Sequence, residues 1–500
     1  MKKISYIILC ICLSMAIGCS KDLEKQPLAQ ISTSNAYVTP EDAKRAVTAA
    51  YQPLAGNNWC CTYVGTGYMH WVFGNVASDD TDKGGESGSD QLYAQQISLF
   101  NIPSDNDAVR FAWSNQFLGI HRVNLVLDNI GDIEMDATLK ERYFAEMKFL
   151  RAWYYFNLVK TFGDVPLVLT AELKTYDLAR SPKSEVYEQI ISDLNAAIEI
   201  LPSTSEYADN DKGRATKGAA MAYLAKVYLY LDDFQKAQEW FGKVIDSQEY
   251  GLDADYYGMF LREGETSKEH IFQVQFLNDQ GAQPANNQIH TVMGSRARNG
   301  WGFNLPTQDF VDAFEPGDPR LNHTVYKNGD VMIDGLVANV GNSTTGYLNN
   351  KVYVPEYERV GGSLQPGRDD IYMRLGKVYL WYAEAANENG NTSEALKYLN
   401  LIRERAREGN SDILPDITET NKTALRELIW KEQRVEFGQE YERFFELVRQ
   451  KRAGKVLRAY AEKYDVPKGS GFKDGVNEIF PIPQSEINLS KGIIIQNFGY

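Results

Sequence analysis

Two short segments of this chain mix aromatic rings with planar polar side chains. The first, NNWCCTYVGTGYMHW, carries Trp59, Tyr63, Tyr68 and Trp71; the second, GSRARNGWGF, carries Arg296, Arg298, Asn299 and Trp301. A sugar offers C–H faces that pack on rings and a rim of hydroxyls that pair with amide, guanidinium or carboxylate groups, so this mixture suits a glycan site. Core packing is the alternative for each of these aromatics. Cys60 and Cys61 are neighbours in the first segment. They either close a strained vicinal disulfide, a rigid apolar plate beside Trp59, or remain two reduced, buried thiols.

Other chemistry is sparse. The run SDDTDKGGESGSD offers Asp79, Asp80, Asp82 and Glu86, but Gly84 falls where an EF-hand needs a ligand, so a solvated acidic loop is expected. There is no G-x-S-x-G, P-loop, H-E-x-x-H or C-x-x-C, and the five histidines are scattered, so no cofactor, metal site or catalytic residue is expected. The 67 acidic residues contain many possible glycosidase pairs, and nothing in the sequence places two of them together. Glu432, Arg434, Glu436, Arg443 and Glu446 alternate in sign at spacings that put opposite charges on one helix face, which reads as a structural ion network. A net charge of −15 without a basic block lacks the electrostatic term that drives nucleic-acid binding.

The elements that must position the two segments are mostly helical. PEDAKRAVTAAYQPLA starts with Pro40 and two acids in its first turn, as helix starts prefer. Apolar residues then recur at helical spacing from about Ala108 to Val159 and from Pro182 to Ile200, with FGDVPLV between them. Residues 56–105 lack that period and read as a long ligand-loop insertion. In GAAMAYLAKVYLYLDDFQKAQEWFGKVI, Leu224, Ala225, Tyr228, Ala237, Phe241 and Val244 occupy the packing positions of a tetratricopeptide helix pair. Tyr382, Ala383, Ala386, Ala395, Leu399 and Ile402 repeat that register downstream. Because such pairs bury their faces only against neighbours, the weaker helical segments upstream are expected to supply further units.

Between the copies, residues 251–370 read as an irregular, partly β subdomain with short runs such as HIFQVQF and YVPEY. NKTALRELIWKEQRVEFGQEYERFFELVRQKR reads as one strong helix within the C-terminal region 371–500. The fold class expected is therefore mainly α, a helical-repeat scaffold with a loop-rich insertion. At the other end, MKKISYIILCICLSMAIGC has two lysines, an apolar run from Ile4 to about Leu13 and small residues closing on Cys19. That layout reads as a signal peptide, residues 1–18, followed by a polar tether, residues 19–34, and then the region 35–250. Ala16 to Cys19 resembles a lipobox, which makes Cys19 a lipidation site; an ordinary signal cleaved nearby is the alternative.

Taken together, the blocks resemble the SusD/RagB family of Bacteroidetes outer-membrane lipoproteins. The resemblance rests on the lipobox, FLRAWYYFNLVKTFGDVPLV, RSPKSEVYEQIISDLNAAI, GRATKGAAMAYLAKVYLYLDDFQKAQ and NGWGFNLPTQDFVDAFEPGDPR, and on YLWYAEAANENGNTSEALKYLNLIRERA, ELIWKEQRVEFGQEYERFFELVRQ and the closing PIPQSEINLSKGIIIQNFGY, in that order. It implies about four tetratricopeptide-like helix pairs with the variable loops gathered on one face. It implies a non-enzymatic, surface-exposed lipoprotein that passes an oligosaccharide to a SusC-like TonB-dependent transporter. Peptide cargo is the alternative within the family, and a helical surface glycosidase the one outside it. Asp22 and Glu24, just behind the anchor, look like the signal that sends such lipoproteins to the cell surface.

Overall fold

The computed structural model describes residues 36–55, 70–172, 178–277, 287–359, 364 and 366–500. Eight helices form the scaffold: α1 (Pro40–Ala55), α2 (Asp107–Asn129), α3 (Ala137–Phe162), α4 (Lys183–Ile200), α5 (Lys217–Tyr230), α6 (Phe234–Asp246), α7 (Leu375–Glu388) and α8 (Thr392–Ala406). They pack as four pairs, α1 with α2, α3 with α4, α5 with α6 and α7 with α8, each pair lying against the next. This is the tetratricopeptide-like scaffold expected from the sequence.

Local chemistry explains the helix starts. The side chains of Asn106, Asp136, Thr216 and Asp233 accept hydrogen bonds from backbone N–H groups in the first turns of α2, α3, α5 and α6, which satisfies donors that a helix cannot pair internally. Small residues then let the pairs close. In α5, Ala219, Ala220, Ala222 and Ala225 are fully buried, as are Ala383, Ala385 and Ala386 in α7. Gly119 of α2 lies so close to the Tyr154 ring that a Cβ there would stand 2.4 Å from it, and the Tyr154 hydroxyl donates to the Ala50 carbonyl at 2.9 Å. One tyrosine thus joins α1, α2 and α3. Every packing residue of the two repeat copies named from the sequence is buried except Tyr382, which is partly exposed.

Three two-stranded sheets decorate the scaffold: β1 (Thr81–Gly84) with β3 (Phe303–Pro306), β2 (His270–Val274) with β6 (Asp370–Arg374), and β4 (Val325–Lys327) with β5 (Tyr347–Asn349), all antiparallel. HIFQV is therefore a strand as expected, whereas YVPEY runs into a 3-10 turn, Glu356–Glu358. Residues 70–105 are not an irregular loop either. They hold a wholly buried π-helix, Trp71–Val76, strand β1 and a helix, Leu92–Ser98.

The expected single C-terminal helix is two, α9 (Lys422–Glu436) and α10 (Arg443–Arg449). Gln439 and Tyr441 between them adopt left-handed φ values of 67° and 68°, which ends helical hydrogen bonding. This break changes how the charges pair. Glu436 on α9 receives Arg374 at 2.7 Å and Arg320 at 3.0 Å, while Arg434 binds Asp80 at 2.7 Å and Arg443 binds Asp79 at 2.8 Å. Ion pairing therefore runs mainly between elements rather than along one helix face. Asp79 and Asp80, expected in a solvated loop, are 1% and 2% exposed because these arginines bury them.

Arg374 is the centre of this network, fully buried and shared among Glu269, Glu436 and Glu440. Replacing it, Arg374→Ala, leaves three buried carboxylates short of a cation. The expected cost is about 3–5 kcal/mol in chemical denaturation; a loss under about 1 kcal/mol would show that the network carries little of the stability.

Candidate functional site

The stretch that follows the first aromatic-rich segment meets the end of the second through β1 and β3, in the register Thr81 with Pro306, Asp82 with Leu305 and Gly84 with Phe303. This pairing lays the continuation of the first segment against the end of the second. Trp59, Tyr63, Tyr68, Cys60, Cys61 and Cys19 lie outside the described residues. The first described residue of that loop is His70. Its ring stacks on Trp153 at 5.7 Å and 9° and meets Tyr372 edge-on at 5.2 Å. Burial, with Lys160 nearby, pushes its pKa well below the ordinary histidine range, so the ring is neutral.

Trp71 does not face a ligand. It has no exposed surface and packs against Phe303 at 6.1 Å, because the π-helix that carries it threads beneath the α9–α10 break. A Cβ on Gly74 would stand 1.9 Å from the Tyr441 carbonyl oxygen, and Tyr441 N donates to Asn75 Oδ1 at 3.1 Å. The expectation that Trp71 binds sugar is corrected: it is a core residue.

The second segment does reach the surface, with part of its charge already used. Arg296 donates to Glu86 at 2.6 Å and Asp90 at 3.0 Å, and Arg298 to Glu356 at 2.8 Å while lying 4.6 Å over the Tyr353 ring. Asn299 is exposed and left-handed at the end of the 3-10 turn Arg296–Arg298. Trp301 is partly buried against the core, and its backbone N–H donates to Thr291 O at 2.8 Å.

Beside the α9–α10 turn lies a small cavity of about 50 Å³, whose walls include Asn287, His290, Lys351, Asp369, Asp370 and Tyr441. Its volume lies well below the roughly 300–1,000 Å³ of small-molecule pockets and suits a few water molecules. His70 approaches Tyr441 at 6.5 Å, which links one wall to the first segment. His290 lies on the short helix Ile289–Met293, which leads into Arg296 and Trp301. These wall residues escaped the sequence reading, since no motif or period marks them. The one usable signal was the adjacent acid pair Asp369–Asp370 opening a β-like run.

Burial, reinforced by Glu265, pushes Asp369 up to about 7, and burial pushes Asp370 up to about 6. Burial likewise lifts Glu265 to about 7. His290 is pushed down to about 3 by burial and by Arg368. Among the described residues, no group of three or more His, Cys, Asp or Glu is placed to hold a metal ion.

A helical-repeat scaffold decorated by loops and short strands defines a class, and comparison with known proteins narrows it. A family model described as "SusD family" matches residues 268–500, and one described as "Starch-binding associating with outer membrane" matches residues 49–229. A SusD-like protein of Formosa agariphila is 27% identical over 100% of this chain and 99% of its own length. A solved laminarin-binding SusD-like protein is 30% identical with a TM-score of 0.78, covering 93% of this chain and 100% of its own. Surface glycan-binding protein A of Bacteroides fluxus is 26% identical with a TM-score of 0.78, covering 93% of this chain and 100% of its own. The chain belongs to the SusD family.

A carboxyl held protonated in the fold binds its proton more tightly than in the unfolded chain. The stability Asp369 contributes is therefore full below the ordinary carboxyl range, near pH 4, and is lost as pH rises through about 7. Thermal unfolding of the parent and of Asp369→Asn between pH 4.5 and 7.5 should show the parent losing ground to the variant as pH rises. Parallel pH curves for the two would refute the raised carboxyl.

Proposed function

We propose that this chain is a cell-surface receptor that captures an oligosaccharide and delivers it to a SusC-like TonB-dependent transporter in the outer membrane. It acts by binding rather than by turnover. The observation that carries the reading is end-to-end similarity, at 30% identity, to a protein that binds laminarin. The lipobox ending at Cys19 supports a lipid anchor at the outer membrane, and the family description that includes association with that membrane agrees with it. Among the described residues no helix is long and apolar enough to cross a membrane.

Contacts to the glycan are assigned to Trp59, Tyr63 and Tyr68 from the first segment and to Arg296, Arg298, Asn299 and Trp301 from the second. Rings supply stacking area, and the arginine–carboxylate pairs at the rim supply directional hydrogen bonds.

Affinity electrophoresis of the chain from Ser20 onward, against host, plant and microbial polysaccharides including laminarin, should show retardation by at least one, with the polymer recovered intact. Trp59→Ala should weaken that retention by at least about tenfold, as expected for a stacking residue that dominates a small site. Retention by none of the polysaccharides would overturn the receptor reading, and degradation of the polymer would replace it with an enzyme.

A further inference from the structure

The end of α3 carries a lysine that the scaffold leaves unmatched. Lys160 lies in the last turn of the helix and is partly exposed. Its Nζ stands 4.3 Å from the centre of the Phe445 ring and 5.6 Å from that of Phe156, and it makes no hydrogen bond or ion pair among the described residues. An aromatic face attracts an ammonium far less than a carboxylate does.

The surroundings of this lysine are cationic. Lys226 on α5 and Lys377 on α7 share the nearby Glu442, Lys226 at 2.8 Å and Lys377 at 3.4 Å. The neighbouring carboxylates are committed elsewhere, Glu440 to Arg374 and Lys351, and Glu446 to Arg449. His70, which also feels Lys160, is neutral. Three lysines therefore meet one available carboxylate, and Lys160 is the one left over. A desolvated amine beside other cations gives up its proton easily. Burial, with repulsion from Lys226 and Lys377 opposing the pull of Glu442 and Glu446, pushes Lys160 down to about 7. At neutral pH about half of such amines carry a free lone pair, against about one in 2,500 for a lysine at the ordinary value.

We propose that Lys160 is a covalent capture site for small aldehydes. The amine lone pair adds to the carbonyl carbon, and both amine hydrogens leave with the carbonyl oxygen as water, so that a C=N bond to Nζ replaces the C=O bond. Hydrolysis reverses every step, and no oxidant or reductant is consumed. The rings of Phe156 and Phe445 flank the nitrogen, so a carbonyl compound of two or three carbons suits the approach better than a bulky one. The site does not depend on the receptor reading.

The test exposes the full chain, in neutral detergent, to glycolaldehyde with cyanoborohydride, which reduces an imine to a stable secondary amine, while peptide mass spectrometry follows each lysine from about pH 6 to 9. Near pH 7 Lys160 should be labelled at least about tenfold faster than the exposed Lys44 and Lys455, and its rate should level off above about pH 8 while theirs keep climbing. Without cyanoborohydride, dialysis should restore the unmodified mass. Lys377→Gln, which removes a neighbouring cation, should move the Lys160 profile to higher pH; if that variant unfolds, the profile of the parent chain decides. Labelling of Lys160 no faster than that of Lys44 near pH 7, or a rate that climbs in parallel with it across the whole range, would overturn the site. The receptor reading stands or falls separately, by retention on polysaccharide gels.

Discussion

Arg374 is a cation with no exposed surface, placed where parts of the chain that are remote in sequence must meet. Removing a guanidinium from water costs several kcal/mol unless its donors are all matched. Here the matches come from Glu269 ahead of β2, from Glu436 at the end of α9 and from Glu440 in the turn beyond. All three must arrive together. Glu436 is in turn shared with Arg320 and Arg405, so a displacement of α9 would break several pairs at once. The turn fixed in this way supplies Gln439, Glu440 and Tyr441 to the cavity wall and seats Gly74 against its backbone. The shape of the cavity wall is thus a consequence of charge satisfaction inside the scaffold.

The scaffold could be read from the sequence because its determinants are local. Alanines and aromatics at repeat spacing reveal paired helices, and Pro40 with two acids marks the start of α1. The ion network was legible only in part. Alternating signs along 432–446 announced it, but its partners, Asp79, Asp80, Glu269 and Arg374, are far away in sequence, and no period relates them. The acidic run misled for the same reason: an aspartate looks solvated until the arginine that buries it is known. Trp71 was misplaced because a π-helix has no familiar hydrophobic period, and because it closes a segment rich in glycine and aromatics that reads as a loop.

The sequence singled out the second segment, since arginine, asparagine and tryptophan in one short turn are hard to reconcile with a pure core, and the structure places it at the surface. It did not reveal that Arg296 and Arg298 would be held by Glu86, Asp90 and Glu356, which trades some of their reach for a fixed orientation. The cavity was invisible. His290 and the Asp369–Asp370 pair belong to segments that meet only after β2 has paired with β6 and the α9–α10 turn has closed.

The fourth helix pair also bears on the order of assembly. Helix α7 packs against α6, yet residues 247–374 lie between them in the chain. The first three pairs are built from contacts between consecutive elements and can form as the chain emerges. The last pair must wait for a long loop to close, a step that is slow in proportion to its separation in sequence. Until it closes, the apolar flank of α6 stands open. An intermediate of this kind is vulnerable to aggregation, and a chain delivered from its N-terminus would pass through it last.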